Sequence, residues 1–360
     1  MEVSYDLLSE FHTHAMSLRQ KGSEKEAFTY LNRCFTVIRD SGILQGVPST
    51  QDEIRRYAMA CEVMLEYAAT CTQHAFRTED GSWHETAVDI EKGIVELAGK
   101  LIPSLKDSGF NVDPIYREIH RAGNSLGVSF QRPKSLFAGR DTEAAINYTR
   151  DAARYYREKA IGIIRVVGPN LKGQDRIDVL NAIRYCGNYA TALYQRAEDY
   201  LAEDNSLEAI ACYKKSLKVR ARIEEELIIP VFGTASLKFC QSLTQRAGTI
   251  QAMAKAGVGN LNAARKLYKQ AIRELCALER KAGSAASDGG SITYQNARLG
   301  AQYGLAWCLF NSGDCDEALA LHQRVFDERR KLLGSDHVDT RKSLRAVEKA
   351  RARILGRRSG

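Results

Sequence analysis

The sequence predicts an all-α fold assembled from antiparallel helical hairpins. Three observations lead there. Helix formers are plentiful and only six prolines occur in 360 residues, which favours helix over sheet. No alternating apolar–polar run survives beyond short stretches such as Leu227 to Phe232, which reads equally as a helix end. Small residues also recur in pairs twelve positions apart, with a glycine or polar turn between them, as in Ala306, Gly313 and Ala318.

That spacing has a physical reading. An alanine midway along one helix and another early in the next let the two backbones approach, and a large residue four positions later fills the space beside the next hairpin. The first hairpin joins helices over 4–21 and 24–40, with Ala15, Gly22, Ala27, Leu31 and Cys34. The second, over 50–77 and 83–107, carries Ala75 and Ala87. The third runs near 135–166 and carries Gly139 and Ala144, with helix expected over 141–167; a separate helix is expected over 113–124. The fourth, over 174–203 and 206–228, has Ala197, Tyr200, Ala209, Tyr213 and Ser216. The fifth, over 234–257 and 260–282, has Ala252, Gly259, Ala264, Tyr268 and Ala271. The sixth, over 291–312 and 315–333, adds His322 and Val325 to its alanine pair, and a last helix covers 337–355. Two stretches interrupt the array. Residues 103–139 hold Pro103, Pro114 and Pro133 with several glycines and are expected to be irregular, a hinge or a functional insertion; residues 281–291 read as a flexible loop.

The pattern resembles the tetratricopeptide repeat. The segment LLGSDHVDTRKSL (332–344) is similar to the inter-repeat linker LGxDHPDTxxSL of the kinesin-light-chain type, with Val338 in the proline position. The second-helix alanines at 27, 87, 144, 209, 264 and 318 lie much farther apart than the 34 residues of that repeat. The resemblance implies a right-handed α-solenoid over residues 1–340, closed by a basic capping helix and tail over 341–360. It also implies a peptide in a concave groove lined by the first helices. The matching positions are Ser9, His12 and Met16; Thr191, Tyr194 and Glu198; Arg246, Thr249 and Met253; and Gly300, Tyr303, Trp307 and Asn311. Tyr303, Trp307 and Phe310 share one helix face, which reads either as a peptide-anchoring stripe or as inter-repeat core. The carboxylate clamp that some members use for chaperone tails needs lysine and asparagine where this chain has His12 and Met16, Tyr194 and Glu198, Thr249 and Met253, Tyr303 and Trp307. A chaperone tail is therefore not the implied partner.

Catalytic and cofactor motifs fail on inspection. His84-Glu85 opens like a zinc-protease helix, but Val88 stands where the second histidine belongs. Gly99-Lys100 lacks both the correctly spaced glycine and the following Ser/Thr of a phosphate loop. Gly257-Val258-Gly259 is followed by Asn262 at the third glycine position, and no strand precedes it. His12 and His14 are two apart on a helix and point to different faces. The reading is a non-catalytic scaffold with no cofactor or metal. Its partner would be a protein or peptide. An enzyme or regulator with a site in 103–139 is a further alternative.

Nine cysteines are scattered singly, mostly within helical apolar patterns, and read as buried free thiols of a reducing compartment. With no secretory signal and no membrane span, the expected location is the cytoplasm or the nucleus. Charge is unevenly placed. Residues 341–360 hold Arg341, Lys342, Arg345, Lys349, Arg351, Arg353, Arg357 and Arg358 against one acid, Glu348, and so carry nearly all of the net +8. Arg341, Lys342, Arg345, Lys349 and Arg353 form a basic patch that is either a solvated cap or a surface for nucleic acid or an acidic partner.

Overall fold

The computed structural model describes residues 3–78, 80–131, 141–283 and 288–358, and every described element is helical. The helices are α1 (Tyr5–Gln20), α2 (Glu24–Ser41), α3 (Gln51–Thr78), α4 (Ser82–Asp107), α5 (Asp113–Phe130), α6 (Thr142–Val167) and α7 (Gly173–Ala202). They continue with α8 (Ser206–Ile223), α9 (Ile229–Phe232), α10 (Leu237–Lys255), α11 (Leu261–Gly283), α12 (Asp288–Ser312), α13 (Cys315–Leu333) and α14 (Val338–Arg358). Local chemistry starts them: the side chains of Ser4, Asn205 and Ser236 accept backbone N–H groups of the first turns of α1, α8 and α10. Gly313 and Gly334 adopt φ of 93° and 87° at the ends of α12 and α13, a region that favours glycine.

The chain divides into two compact units, Met1–Tyr156 and Arg157–Gly360, with the boundary inside α6. In the first, α1 pairs with α2, α3 with α4, and α3 also packs on α1, α2 and α5. In the second, α7 pairs with α8, α10 with α11, and α12 with α13, while α10 also meets α8 and α12. Within each unit the helices thus pack sequentially in pairs, the arrangement of a helical-repeat solenoid. The paired alanines lie at the crossings: Ala15 and Ala27, Ala75 and Ala87, Ala197 and Ala209, Ala252 and Ala264, Ala306 and Ala318 are all buried.

Three expectations need correction. In the third hairpin the crossing residue is Ala145, fully buried, whereas Ala144 is half-buried; the Ala145 carbonyl lies against Gly127 of α5, where an added Cβ would meet it and Thr149. The described part of 103–139, residues 103–131, is largely helix. Pro103 stays inside α4, because the buried stripe Ala98, Ile102 and Leu105 runs past it close to the helix end; that packing outweighs the cost of about 3 kcal/mol for an internal proline. Pro114 falls in the first turn of α5, where its missing N–H is no loss. Pro133 and Gly139 lie outside the described residues. Finally, no boundary falls at 340. The helix α14 begins at Val338, packs on α13, and buries Ser343, Ala346, Val347 and Ala350 within the second unit.

The helical path does not stop where α8 ends at Ile223. It passes through a π turn, Glu224–Ile228, into α9, and the Ile229 N–H bonds back to the Glu224 carbonyl. Pro230 has no N–H for the Glu226 carbonyl four residues earlier, and the wider turn accommodates that loss. Buried Glu224 thereby faces α10, accepting from Ser242 Oγ at 2.7 Å and pairing with Arg246.

Tyr268 ties two hairpins together. Its ring on α11 is buried between Gly248 of α10 and Gly304 of α12, and its hydroxyl donates to Gln251 Oε1 at 3.2 Å. A Cβ at Gly304 would overlap Tyr268, 2.3 Å from Cζ and 2.4 Å from Cε1, whereas one at Gly248 would sit 3.5 Å from the hydroxyl, an ordinary contact. Gly304→Ala is therefore expected to destabilise by about 1–3 kcal/mol through overpacking. Gly248→Ala should be neutral or stabilising by up to about 1 kcal/mol through helix propensity. Urea unfolding of the two variants checks the contrast; equal effects would contradict it.

His322 of α13 is fully buried against Tyr303 and Trp307, with neither ring nitrogen hydrogen-bonded among the described residues. Burial pulls its pKa down to about 4. A neutral folded imidazole means that the unfolded chain takes up the proton first, near pH 6.5. The stabilisation is present above that pH and is lost as pH falls toward 4. Between pH 7 and 5 the wild type should lose about 2 kcal/mol more than His322→Leu, read as the difference of two urea-unfolding pH series.

Candidate functional site

The face formed by first helices differs between the units. In the first unit it is charged and internally neutralised. Arg121 of α5 reaches Glu62 and Glu66 of α3 at 3.0 and 3.1 Å and Glu118 at 2.8 Å. Arg19 of α1 pairs with Glu66, and His12 stands 3.7 Å from Glu62. Burial raises the Glu118 carboxyl pKa, although Arg121 and Arg117 pull the other way. Acids and bases are matched here, so little charge is left to recognise a ligand.

The second unit is different. A cavity of about 390 Å3 opens between α7 and α10 under the π turn. On α7, Asn181, Arg184, Asn188 and Thr191 form one row at helical spacing; on α10, Lys238, Gln241 and Gln245 form the facing row. Ile223 and Ile228 close the back. No carboxylate lines the cavity. Behind its wall lies Arg220 of α8, 5% exposed. Its guanidinium donates to Gln245 Oε1 and, at 3.3 Å, to Thr191 Oγ1, both neutral. Its Nε finds no acceptor among the described residues. Desolvation pulls the Arg220 pKa down to about 10, so it is still a cation at neutral pH. Glu224 acts on Arg220 electrostatically but is bonded to Arg246 and Ser242 rather than to Arg220. The cavity is therefore positive and lined with amide and hydroxyl groups.

Of the groove positions named from the sequence, Ser9, His12 and Met16 lie on α1 in the first unit, and the rest fall around this cavity and farther along the second unit. Thr191 lines it. Tyr194 is half-buried, edge-on to Tyr213 at 5.5 Å, and Glu198 accepts from the Tyr213 hydroxyl. Arg246 is held by Glu224. Met253 is not on an open groove but in core with Ala197, Ala209 and Tyr213, because α10 is covered there by its neighbours. Tyr303 lies under the Arg329 guanidinium at 5.2 Å. Trp307 packs on Phe310 and His322 with centroids 5.2 and 5.0 Å away, and Asn311 Nδ2 is buried without an acceptor among the described residues. Apart from Thr191, the polar rows 181–191 and 238–245 went unread in the sequence, although their i, i+3, i+7 spacing is visible there.

In the basic stretch, Lys349 sits over Trp307 at 5.5 Å and Arg353 over Phe310 at 4.5 Å. Lys342 is 3.5 Å from Asp339. Arg341 and Arg345 are exposed. The linker holds α14 in place: His337 Nδ1 accepts the Asp339 N–H at 3.2 Å, and Arg329 donates to Ser343 Oγ at 2.9 Å. All nine cysteines are free, and burial pushes the Cys34, Cys71, Cys240 and Cys308 thiols up to about 11. Among the described residues no group of three or more His, Cys, Asp or Glu is placed to hold a metal, and no helix is long and apolar enough to cross a membrane.

Residues 298–339 match the family model of the tetratricopeptide repeat. They cover most of α12, all of α13 and the linker into α14. A repeat of this kind points to protein–protein interaction. No curated protein matches the chain. Among solved structures, a circular tandem repeat protein with novel repeat topology and enhanced subunit contact surfaces aligns at 13% identity, over 96% of this chain and 88% of that one, with a TM-score of 0.25.

Trp307 of α12 joins the two helices of the matched repeat to α14, through His322 and Lys349. Trp307→Ala should lower the stability of the second unit by about 3 kcal/mol and raise hydrogen exchange in α14. Unchanged stability would show a side chain that carries no packing load.

Proposed function

We propose that the second unit is a non-catalytic docking module for a peptide segment of a protein partner, laid across α7, α10 and α12, with an acidic group of that peptide held in the α7/α10 cavity. The observation that carries this reading is the cavity itself: Arg184, Lys238 and the Arg220 behind them face it with no carboxylate among its lining residues. Asn181, Gln241 and Gln245 supply the paired donors and acceptors that an extended peptide backbone needs. Glu198 is taken by Tyr213, and Arg246 by Glu224; these two shape the groove's flank rather than grip the ligand. The match of residues 298–339 to a tetratricopeptide repeat supports a protein partner, as does the linker's similarity to the kinesin-light-chain type. Nine free thiols suit a reducing compartment, the cytoplasm or the nucleus.

A synthetic peptide array with acidic, neutral and basic members, probed with the full chain, tests this. Acidic members should bind, and Arg184→Glu with Lys238→Glu should weaken them at least tenfold, about 1.4 kcal/mol, without changing helicity. Binding that ignores peptide charge, or survives the double reversal, would sink the reading. Binding through the exposed Arg341 and Arg345 of α14 would instead fall steeply with salt on an oligonucleotide probe.

A further inference from the structure

The second unit carries another open groove, on the side of its second helices. It lies between α11 and α13, with α12 as floor, and has a volume of about 620 Å3. Ile272, Leu305 and Leu321 form its apolar bed. Its rim is a single row on α11, Lys266, Lys269 and Arg273, at i, i+3 and i+7. All three are exposed, and no ion pair involves them among the described residues. No carboxylate lines the groove.

The acids nearby are accounted for. At one end Arg265 of α11 bonds Asp314 at the start of α13, at 2.8 Å. At the other end Arg298 of α12 bridges Glu279 of α11 and Glu328 of α13, at 2.9 and 3.0 Å. These two bridges clamp α11 to its neighbours at both ends, and the groove opens between them. Glu274 is turned toward α10, where it acts on Cys240. Glu317 is exposed on α13 one turn before Leu321, and exposed Arg324 stands on the following turn. The groove is thus apolar at its base and positive along one side, over the roughly 10 Å that seven helical residues span.

We infer that this groove is a second docking surface, for an acidic amphipathic helix of a protein partner that seats aliphatic side chains on Ile272, Leu305 and Leu321 and sets carboxylates against Lys266, Lys269 and Arg273. The apolar bed favours a protein over a polyanion, because phosphate backbones would leave it uncovered. The surface uses different helices from the α7/α10 cavity and stands whether or not that cavity binds a peptide.

The test uses the full chain and four fluorescent probes: a synthetic Glu/Leu amphipathic helix, the same helix with Leu replaced by Gln, a single-stranded oligonucleotide, and mixed phosphatidylserine–phosphatidylcholine vesicles. The Glu/Leu helix should bind at least tenfold more tightly than the other three and slow hydrogen exchange across 266–273. Lys269→Glu with Arg273→Glu should weaken it at least tenfold with unchanged helicity and thermal midpoint, while Arg184→Glu with Lys238→Glu leaves it unchanged. The inference is overturned if the Glu/Leu helix fails to bind, if Leu→Gln binds equally, if the α11 reversal has no effect, or if oligonucleotide or vesicles bind as tightly as the helix.

Discussion

Close approach of paired helices is the constraint on which the rest of this structure depends. Each second helix presents one alanine to its partner, Ala27, Ala87, Ala145, Ala209, Ala264 and Ala318, and every one is fully buried. A larger side chain at any of them would push the two backbones apart and misplace everything farther along the helices. The polar rows of α7 and α10 face each other across a cavity of definite size only because Ala197 and Ala209 on one side, and Ala252 and Ala264 on the other, hold those hairpins tightly closed.

That constraint was legible in the sequence because it is periodic. Twelve residues between small side chains, a glycine turn, and helix-forming segments on either side place most of the helices close to their observed bounds; the third pair, Gly139 and Ala144, does not keep that spacing, and there the buried residue is Ala145. What sequence reading missed is what periodicity does not encode. Pro103 and Pro114 look like breakers, yet one lies near a helix end along a continuous buried stripe and the other in a first turn. Ala144 and Ala145 are equally small, and only the packing against Gly127 separates them. The π turn at Glu224–Ile228 has only a proline to announce it.

The site was less legible than the fold. Aromatic residues drew attention to Tyr303 and Trp307, but those rings are engaged by Arg329, His322, Phe310 and Lys349. Charge pairing across helices decides which cations remain available, and it depends on three-dimensional neighbours. In the first unit the acids of α3 and α5 consume the arginines of the same face. In the second, Glu224, Glu279, Glu328 and Asp314 are each engaged by one arginine, which leaves Arg184 and Lys238 facing one groove and Lys266, Lys269 and Arg273 facing another with no carboxylate in either lining. The same residue types thus give a neutralised face in one unit and two positive grooves in the other.

The Tyr268 wedge bears on how the second unit melts. A repeat array behaves as a chain of elements with nearest-neighbour couplings, and weak couplings let one element fray while the next survives. Here one buried ring belongs to the fifth hairpin but rests on a glycine of its own first helix and on a glycine of the sixth. Opening either hairpin strips that ring of half its cover. The two should therefore unfold as one cooperative block, and a partner that grips α11 would steady α12 and α13 without touching their far ends.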